Sequence, residues 1–382
     1  MSNISFGYSI PYLFVVTIYL VLSLLTMSER NRILFGVRVR YLCVGLFVLF
    51  IGLRGFIGSD CYPYYYNYQQ TSTFYNFYEG SFEPGFVFIF RCFKTLGFSY
   101  AGYLFVITVI EGLVLDAFFK RYSPNYAFGW LAYFSFGGLI LSIDLQRNIL
   151  SICMFLISIP YLWKRKFLPY LILNLIGTSF HASAILYLPF YFIATKRIEK
   201  RWFLIIFITC NVLFLSGSGV LSLMMNLLGE RIGGGYYLQF QSYLVNFDYA
   251  KGISVGYIER TITFLLIYYF SGKLRSLDRR NVLFINMFLC YYVAYFLFAD
   301  NEVLAVRISL LFKCSYWILI PALYYVMQRQ GNREIYIAYL SVYALLWTAF
   351  TTNNIDFKYE NQLTGISSYE QRVNETNRRL KF

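Results

Sequence analysis

Charged side chains are scarce in this sequence. Only 14% of its 382 residues are Asp, Glu, Lys or Arg, and the mean hydropathy is +0.54, whereas a soluble protein of this size carries about 25% charged residues. So few charges cannot cover the surface of a water-soluble protein, and the composition therefore indicates an integral membrane protein. The apolar residues come in blocks of about 20, the length that a helix needs to cross the hydrocarbon core. They do not show the ~10-residue alternating segments of a membrane β-barrel.

Histidine is nearly absent, and cysteine follows no pattern. His181 is the single histidine, which excludes a site built on several histidine ligands. The 7 cysteines lie mostly inside apolar runs, at spacings that match neither a metal site nor a disulfide framework. The P-loop, GxSxG and HExxH motifs are also missing, and the glycine-rich GERIGGG (229–235) has no strand before it. We therefore expect no metal and no cofactor.

The net charge of +14 does not indicate a nucleic-acid partner. Lys and Arg occur in short clusters between apolar blocks, as the positive-inside bias produces in membrane proteins. The clusters orient the chain, with the first basic loop (28–40) in the cytoplasm and the N-terminus outside. Residues 10–27 lack a basic n-region and a small-residue cleavage site, so they are interpreted as a retained first span.

The blocks predict an all-α polytopic membrane protein with about ten to twelve transmembrane helices in a single membrane domain, 1–382. Larger extracytoplasmic loops are expected at about 54–83 and 217–256, and the polar tail 352–382 is also placed outside. Residues 84–97 carry two cations in an apolar stretch and predict an interfacial helix that begins at Pro84. The predicted spans are about 10–27, 41–53, 99–118, 126–143, 148–163, 202–216, 257–272, 281–299, one span containing Arg307, and 335–350, with up to two short spans or a hairpin in 167–195.

The unusual charges converge on the outer side of this predicted topology. A surplus of arginine there runs against the topological bias and needs another reason. Anion binding is one such reason, because the guanidinium fork matches phosphate oxygens two at a time. Carboxylates nearby could serve as a general base, and tyrosines suit contact with sugars. The outer charged residues are Arg54, Asp60, Asp144, Arg147, Arg231, Glu259, Arg260, Asp300, Glu302 and Arg307.

Structural explanations stand beside the functional ones. The tyrosines of 62–68 could form an interfacial aromatic belt, and Arg54 could snorkel from the end of a span. Arg147 could form a surface ion pair with Asp144 three residues earlier, and Arg307 could pair with Glu302. His181 could be a helix-packing residue. Glu111, inside a predicted span, could relay protons or pair with another span.

Several stretches resemble the EpsG family of exopolysaccharide and O-antigen polymerases. RGFIGSDCYPYYYNY resembles that family's R-x-x-x-G-x-D…Y segment, and FEPGFVFIF resembles its E-x-G-[FY] segment. The block from DLQRN to FHASA resembles its central signature, and AVRISLLF resembles its late arginine-containing span. The arginine-to-alanine part, RNILSICMF, departs from the usual small-residue composition.

The resemblance implies a Wzy-type polymerase of the bacterial plasma (inner) membrane. Such enzymes join oligosaccharide repeat units carried on undecaprenyl pyrophosphate at the outer face. The expected partners are that lipid-linked substrate, the bilayer, a chain-length regulator and a flippase. A flippase for lipid-linked sugar is the alternative function, although such a transporter would more often show internal repeats.

The outer polar residues fit this reaction, and we expect particular roles for them. Arg147 and Arg307 are expected to clamp pyrophosphate, His181 to orient a phosphate or an acceptor, and the loop 217–256 to determine specificity. Asp60, Asp144 and Glu259 are the candidates for the general base. The remaining predicted substrate-binding residues are Arg54, Arg260, Tyr64 and Tyr65.

Overall fold

The computed structural model describes residues 6–71, 82–216, 253–299 and 301–380. Within these ranges the chain is helical, and its extended pairing is limited to isolated bridges at Arg54, Asn361 and Gly365. In chain order the helices are α1 (Ile10–Leu25), α2 (Glu29–Phe47), α3 (Cys61–Gln70), α4 (Pro84–Thr95), α5 (Tyr100–Tyr122), α6 (Tyr126–Tyr133), α7 (Leu139–Ile143), α8 (Gln146–Trp163), α9 (Phe167–Phe180), α10 (Tyr187–Ile193), α11 (Lys200–Leu215), α12 (Val255–Leu277), α13 (Asn281–Leu297), α14 (Glu302–Leu310), α15 (Cys314–Val326), α16 (Gln330–Thr352) and α17 (Tyr369–Leu380).

Membrane-spanning character is evident in several of these helices. Four continuous segments of the described chain are long and apolar enough to cross a bilayer, and α14 with α15, bent by 68°, would make a fifth. Shorter apolar helices add to this set. The four segments are 29–52, 100–122, 126–143 and 330–352. The chain is thus an all-helical protein with the character of a multi-pass membrane protein.

The basic segment 28–40 is helical, which corrects the predicted topology. The sequence predicted a loop there, but α2 begins at Glu29 and continues through a π-helical turn to Gly52. Its arginines therefore lie along a helix instead of between two spans. One of them, Arg40, donates from Nε to Asp116 Oδ1 on α5 at 2.6 Å, which explains how the helix carries that charge.

The chain forms two compact units, residues 1–189 with 327–382, and residues 190–326. In the first unit α1 packs on α6 and α16, α5 packs on the π-helical turn before Arg54, and α8 runs along α9. A buried aromatic group with Tyr19, Phe47 and Trp130 fills its interior. In the second unit α13 packs against α11, α12, α14 and α15.

A buried carboxyl fixes a distortion in the first unit. Between α6 and α7 the backbone passes through a π-helical turn in which Gly137 has φ +90°. Glu111 Oε1 on α5 accepts hydrogen bonds from Tyr133 Oη (2.6 Å) and Ser142 Oγ (2.7 Å), one on each side of that turn. Glu111 thus pairs with another helical segment, which is one of the two possibilities that the sequence left open.

Candidate functional site

A carboxylate joins two of the predicted site residues. Glu83 Oε2 lies 2.7 Å from Arg147 Nη1, and Glu83 Oε1 lies 2.8 Å from His181 Nδ1. The backbone N–H of Ala182 also donates to Glu83 Oε1 at 3.2 Å. We call Glu83, Arg147 and His181 the bridged triad. It brings together residues that lie 64 and 98 positions from Glu83 in the sequence.

Local structure explains why the triad forms. Glu83 is the extended residue before α4, Pro84 occupies the first turn, and His181 ends α9 in an extended conformation. Arg147 lies in the first turn of α8. Each member therefore sits at a helix terminus, where its side chain can reach across to a neighbouring element.

Gly85 permits the close approach of α4 to α9. A Cβ atom at this position would lie 2.2 Å from Ser179 Oγ and 2.8 Å from the Ser179 carbonyl oxygen. Only glycine fits that spacing, so the glutamate and the glycine two residues later act together. The glycine sets the distance between the helices, and the glutamate spans it.

Gly85→Ala should therefore separate α4 from α9 and weaken the Glu83–His181 hydrogen bond. We expect a loss of about 1–3 kcal/mol in the free energy of unfolding, typical of overpacking, together with lower activity. Thermal unfolding of the purified protein would measure the loss. Gly36→Ala is the matched control, because a Cβ there meets nothing within 4 Å. Equal stability of the two variants would contradict this packing argument.

Aromatic rings enclose the arginine of the triad. The Arg147 guanidinium lies 4.6 Å from the centroid of the Phe82 ring, and the Tyr64 hydroxyl lies beside it. Tyr64 is only 2% exposed, because α3 turns it and Tyr68 towards a cluster of rings from α4 and α5. Tyr64 therefore lies inside the molecule and contacts Arg147, the residue predicted to bind phosphate.

Glu83 is ionised at neutral pH. Burial alone would raise the pKa of Glu83, but the hydrogen bond from His181 and the charge of Arg147 outweigh it and lower that pKa to about 2. Glu83 is therefore a carboxylate that orients its partners and not a proton acceptor. Since the carboxylate is held at Nδ1, the Nε2 edge of His181 is the edge left to address a ligand.

Asp144 and Asp60 form a second group in the same unit. Asp144 is only 8% exposed, and its Oδ1 accepts the backbone N–H of Asp60 at 3.2 Å. Gly58, with φ +88°, makes room for it, because a Cβ there would lie 2.0 Å from that oxygen. Burial, reinforced by the negative charge of Asp60, raises the pKa of Asp144 to about 7. The proposed surface ion pair of Arg147 with Asp144 is wrong: Arg147 pairs with Glu83, since the turn between α7 and α8 directs the two side chains to different partners.

The C-terminal tail packs on the Arg54 segment. Leu53 O accepts the N–H of Gln362 (2.8 Å), and the N–H of Gly55 donates to Glu360 O (2.9 Å). Arg372, with 0% exposure, donates to the carbonyl oxygens of Phe56 (3.1 Å) and Ile355 (2.6 Å). The tail and the Arg54 segment therefore lie at the same end of this unit.

Arg54 and Tyr65 line a cavity of about 240 Å³ at that end. Arg54 is 4% exposed and donates from Nη1 to Ile51 O at 2.7 Å, which holds its guanidinium in place. It is thus a buried, fixed cation and not a side chain that snorkels to the surface. Lys94, at the end of α4, lines the same cavity.

Three predicted residues lie in the second unit. Glu259 is buried and accepts from Thr263 Oγ1 at 2.8 Å. Arg260 donates from Nε to Tyr291 Oη at 2.8 Å, and Lys313, in the break between α14 and α15, donates to the same hydroxyl at 3.0 Å. Arg307 lies half-buried in the last turn of α14. The predicted Glu302 partner cannot be placed, because that side chain, Arg231, Asp300 and most of the 217–256 loop lie outside the described residues.

Sequence reasoning did not select Glu83, Lys94, Lys313 or Arg372. A signal existed only for Glu83, which is the acidic residue of the FEPGF segment. The two lysines carry no motif. Arg372 lies in a polar tail whose packing against Phe56 spans 316 positions of sequence.

Comparison with known proteins identifies a family. The sequence model of the EpsG family matches residues 37–364. This range contains both the bridged triad and the Asp60–Asp144 pair. Searches of curated proteins and of solved structures found no match to the chain.

Proposed function

Since this chain belongs to the EpsG family of Wzy-like polysaccharide polymerases, we propose that it joins oligosaccharide repeat units carried on undecaprenyl pyrophosphate. The growing chain moves from its lipid carrier to the non-reducing end of a new unit. The reaction takes place at the outer face of the bacterial inner membrane, in a single membrane domain with ten to twelve spans. A chain-length regulator and a flippase are the proposed protein partners.

The observation that carries the proposal is the bridged triad, whose Arg147 follows Asp144 of the Asp60–Asp144 pair by three residues. The triad offers an oriented guanidinium and an imidazole edge for an anionic leaving group. Asp144 has a pKa near neutrality, which suits a general base. Gln146 lies between Asp144 and Arg147 in the chain, and its side chain is fixed by bonds to Tyr100 and Tyr103 of the same unit.

The proposed step is a glycosyl transfer. The acceptor hydroxyl oxygen forms a bond to the donor anomeric carbon while the bond from that carbon to the pyrophosphate oxygen breaks. Asp144 takes the hydroxyl proton, and Arg147 with His181 stabilises the charge that develops on the departing pyrophosphate. Burial and the charge of Asp60 hold the pKa of Asp144 near neutrality, and Glu83 positions Arg147 and His181. Arg260 and Arg307 are proposed to hold phosphate, and Glu259 stays an alternative base.

Surface polysaccharide from a strain lacking its own copy of this polymerase tests the proposal. The strain is complemented with the wild type, Arg147→Ala, His181→Ala or Arg307→Ala at matched membrane levels. We expect a ladder with the wild type and a single-repeat band with the variants, because units are exported but not joined. Arg40→Gln removes an ion pair of the same unit and is expected to keep the ladder. Absence of surface repeats, with lipid-linked units accumulating inside, would instead indicate the flippase.

A further inference from the structure

The cavity beside Arg54 has walls from five separate segments. They are the Arg54 segment itself, helix α3, the end of α4, the start of α5 with the residues before it, and the tail, which closes one side through Gln362 and Ile366. Its 240 Å³ is on the scale of one sugar ring and not of a chain. Aromatic residues dominate the walls, namely Phe56, Tyr65, Tyr68, Phe98 and Tyr100.

The charged residues of the lining are both cations. Arg54 is buried and fixed by its bond to Ile51. Lys94 Nζ lies 3.3 Å from the Gln69 carbonyl oxygen and 5.3 Å from the centroid of the Tyr68 ring. Among the described residues, neither has a carboxylate within ion-pair distance, 4.0 Å. The charge of Arg54 acts on Asp144 from beyond ion-pair distance, so an anionic ligand in the cavity would be the direct countercharge of both cations.

The remaining polar groups fit a sugar. Gln69, Ser99 and Gln362 present amide and hydroxyl groups that can bond ring hydroxyls. The aromatic faces suit the C–H faces of a pyranose. A free phosphate would use the cations but would leave most of this aromatic wall without a partner.

We propose that this cavity is a subsite for an acidic sugar of the repeat unit, with Arg54 and Lys94 at its carboxylate and the aromatic rings against its ring face. The identity of the sugar as part of a repeat unit rests on the proposed polymerase function. Binding of the acidic monosaccharide by the cavity does not. The tail takes part in substrate selection through Gln362.

Saturation-transfer NMR on the purified full chain in detergent tests the subsite. Glucuronate, glucose and inorganic pyrophosphate are the probes. We expect saturable binding of glucuronate and weaker binding of glucose. Lys94→Met should weaken glucuronate binding on the order of tenfold, as the loss of one charged hydrogen bond implies, and Lys94→Arg should restore it. Lys120→Met, at the opposite end of α5, is the control for charge and should bind as the wild type does.

Several outcomes would overturn the subsite. Equal binding of glucose and glucuronate would make it a neutral-sugar site. If pyrophosphate competes with glucuronate and binds more tightly than glucuronate does, the cavity is a phosphate site. Absence of saturable glucuronate binding, or a Lys94→Met variant that binds like the wild type, also contradicts it. These outcomes are separate from the surface ladder, which reports the polymerase function whatever this cavity binds.

Discussion

Replacing Glu83 by glutamine is expected to reduce chain elongation by on the order of a hundredfold. Glutamine keeps the size of the side chain but removes the charge that bonds Arg147 at 2.7 Å and His181 at 2.8 Å. Hydrogen bonds to a charged group contribute about 1.5–3 kcal/mol each. If their loss lets Arg147 and His181 move and raises the activation free energy by about 3 kcal/mol, the rate falls by that factor. The measurement is the rate of lengthening of lipid-linked product in membranes with matched amounts of protein.

The control for Glu83→Gln is Glu375→Gln. Glu375 also accepts from two cations, Lys358 at 2.7 Å and Arg372 at 3.0 Å, but its side chain is 42% exposed and it lies in the tail. This variant should elongate at close to the wild-type rate. If both variants lost activity equally, or if Glu83→Gln were fully active, the triad would not position the reacting groups.

Asp144→Asn is expected to abolish elongation while making the protein more stable at neutral and alkaline pH. Loss of a general base costs about 10²–10⁴-fold in rate. The stability gain follows from the sign of the pKa shift. Because the pKa of Asp144 is raised from 3.8 to about 7, the folded state holds a proton that the unfolded state releases across that range. The free energy of unfolding of the wild type therefore falls as pH rises from about 4 to about 7, and it stays low above that.

Asparagine does not ionise, so it removes the loss of stability that comes from a charged Asp144 in the folded protein. It also keeps an oxygen that can accept the Asp60 N–H. The loss of stability amounts to roughly 4 kcal/mol at most, since each pKa unit is worth about 1.4 kcal/mol. Thermal unfolding across pH, with elongation measured in parallel, checks both effects. Asp116→Asn, which breaks the Arg40 pair, should instead lower stability. An Asp144→Asn variant that melts below the wild type above neutrality, or that elongates normally, would contradict this role.

The positions of most helices could be predicted from the sequence, because runs of apolar residues report directly on burial in a bilayer. The helix Pro84–Thr95 and the break at His181 were also predictable, from Pro84 and from the polar FHAS turn. The prediction for the basic segment 28–40 was wrong, because a cluster of charged residues is typical of a loop between spans. Helical geometry lets Arg40 reach Asp116 instead.

The site was only partly predictable, since its members meet through long-range contacts. Arg54, Asp144, Arg147 and His181 could be selected as polar residues at the ends of apolar runs. Their partners could not, because Glu83 lies in a stretch that the sequence marks only by a short motif. The same holds for the tail, whose Gln362 reaches the cavity beside Arg54 through backbone pairing with Leu53. Charge and hydropathy patterns do not encode such pairings.

Reconstitution of the purified chain with lipid-pyrophosphate-linked repeat units in liposomes is the most direct test. We expect products of two and more repeat units to accumulate and free lipid pyrophosphate to be released in proportion. With Glu83→Gln or Asp144→Asn, little of either should be released. Transfer of single units across the liposome membrane without any lengthening would rule out the polymerase function and identify the protein as a transporter.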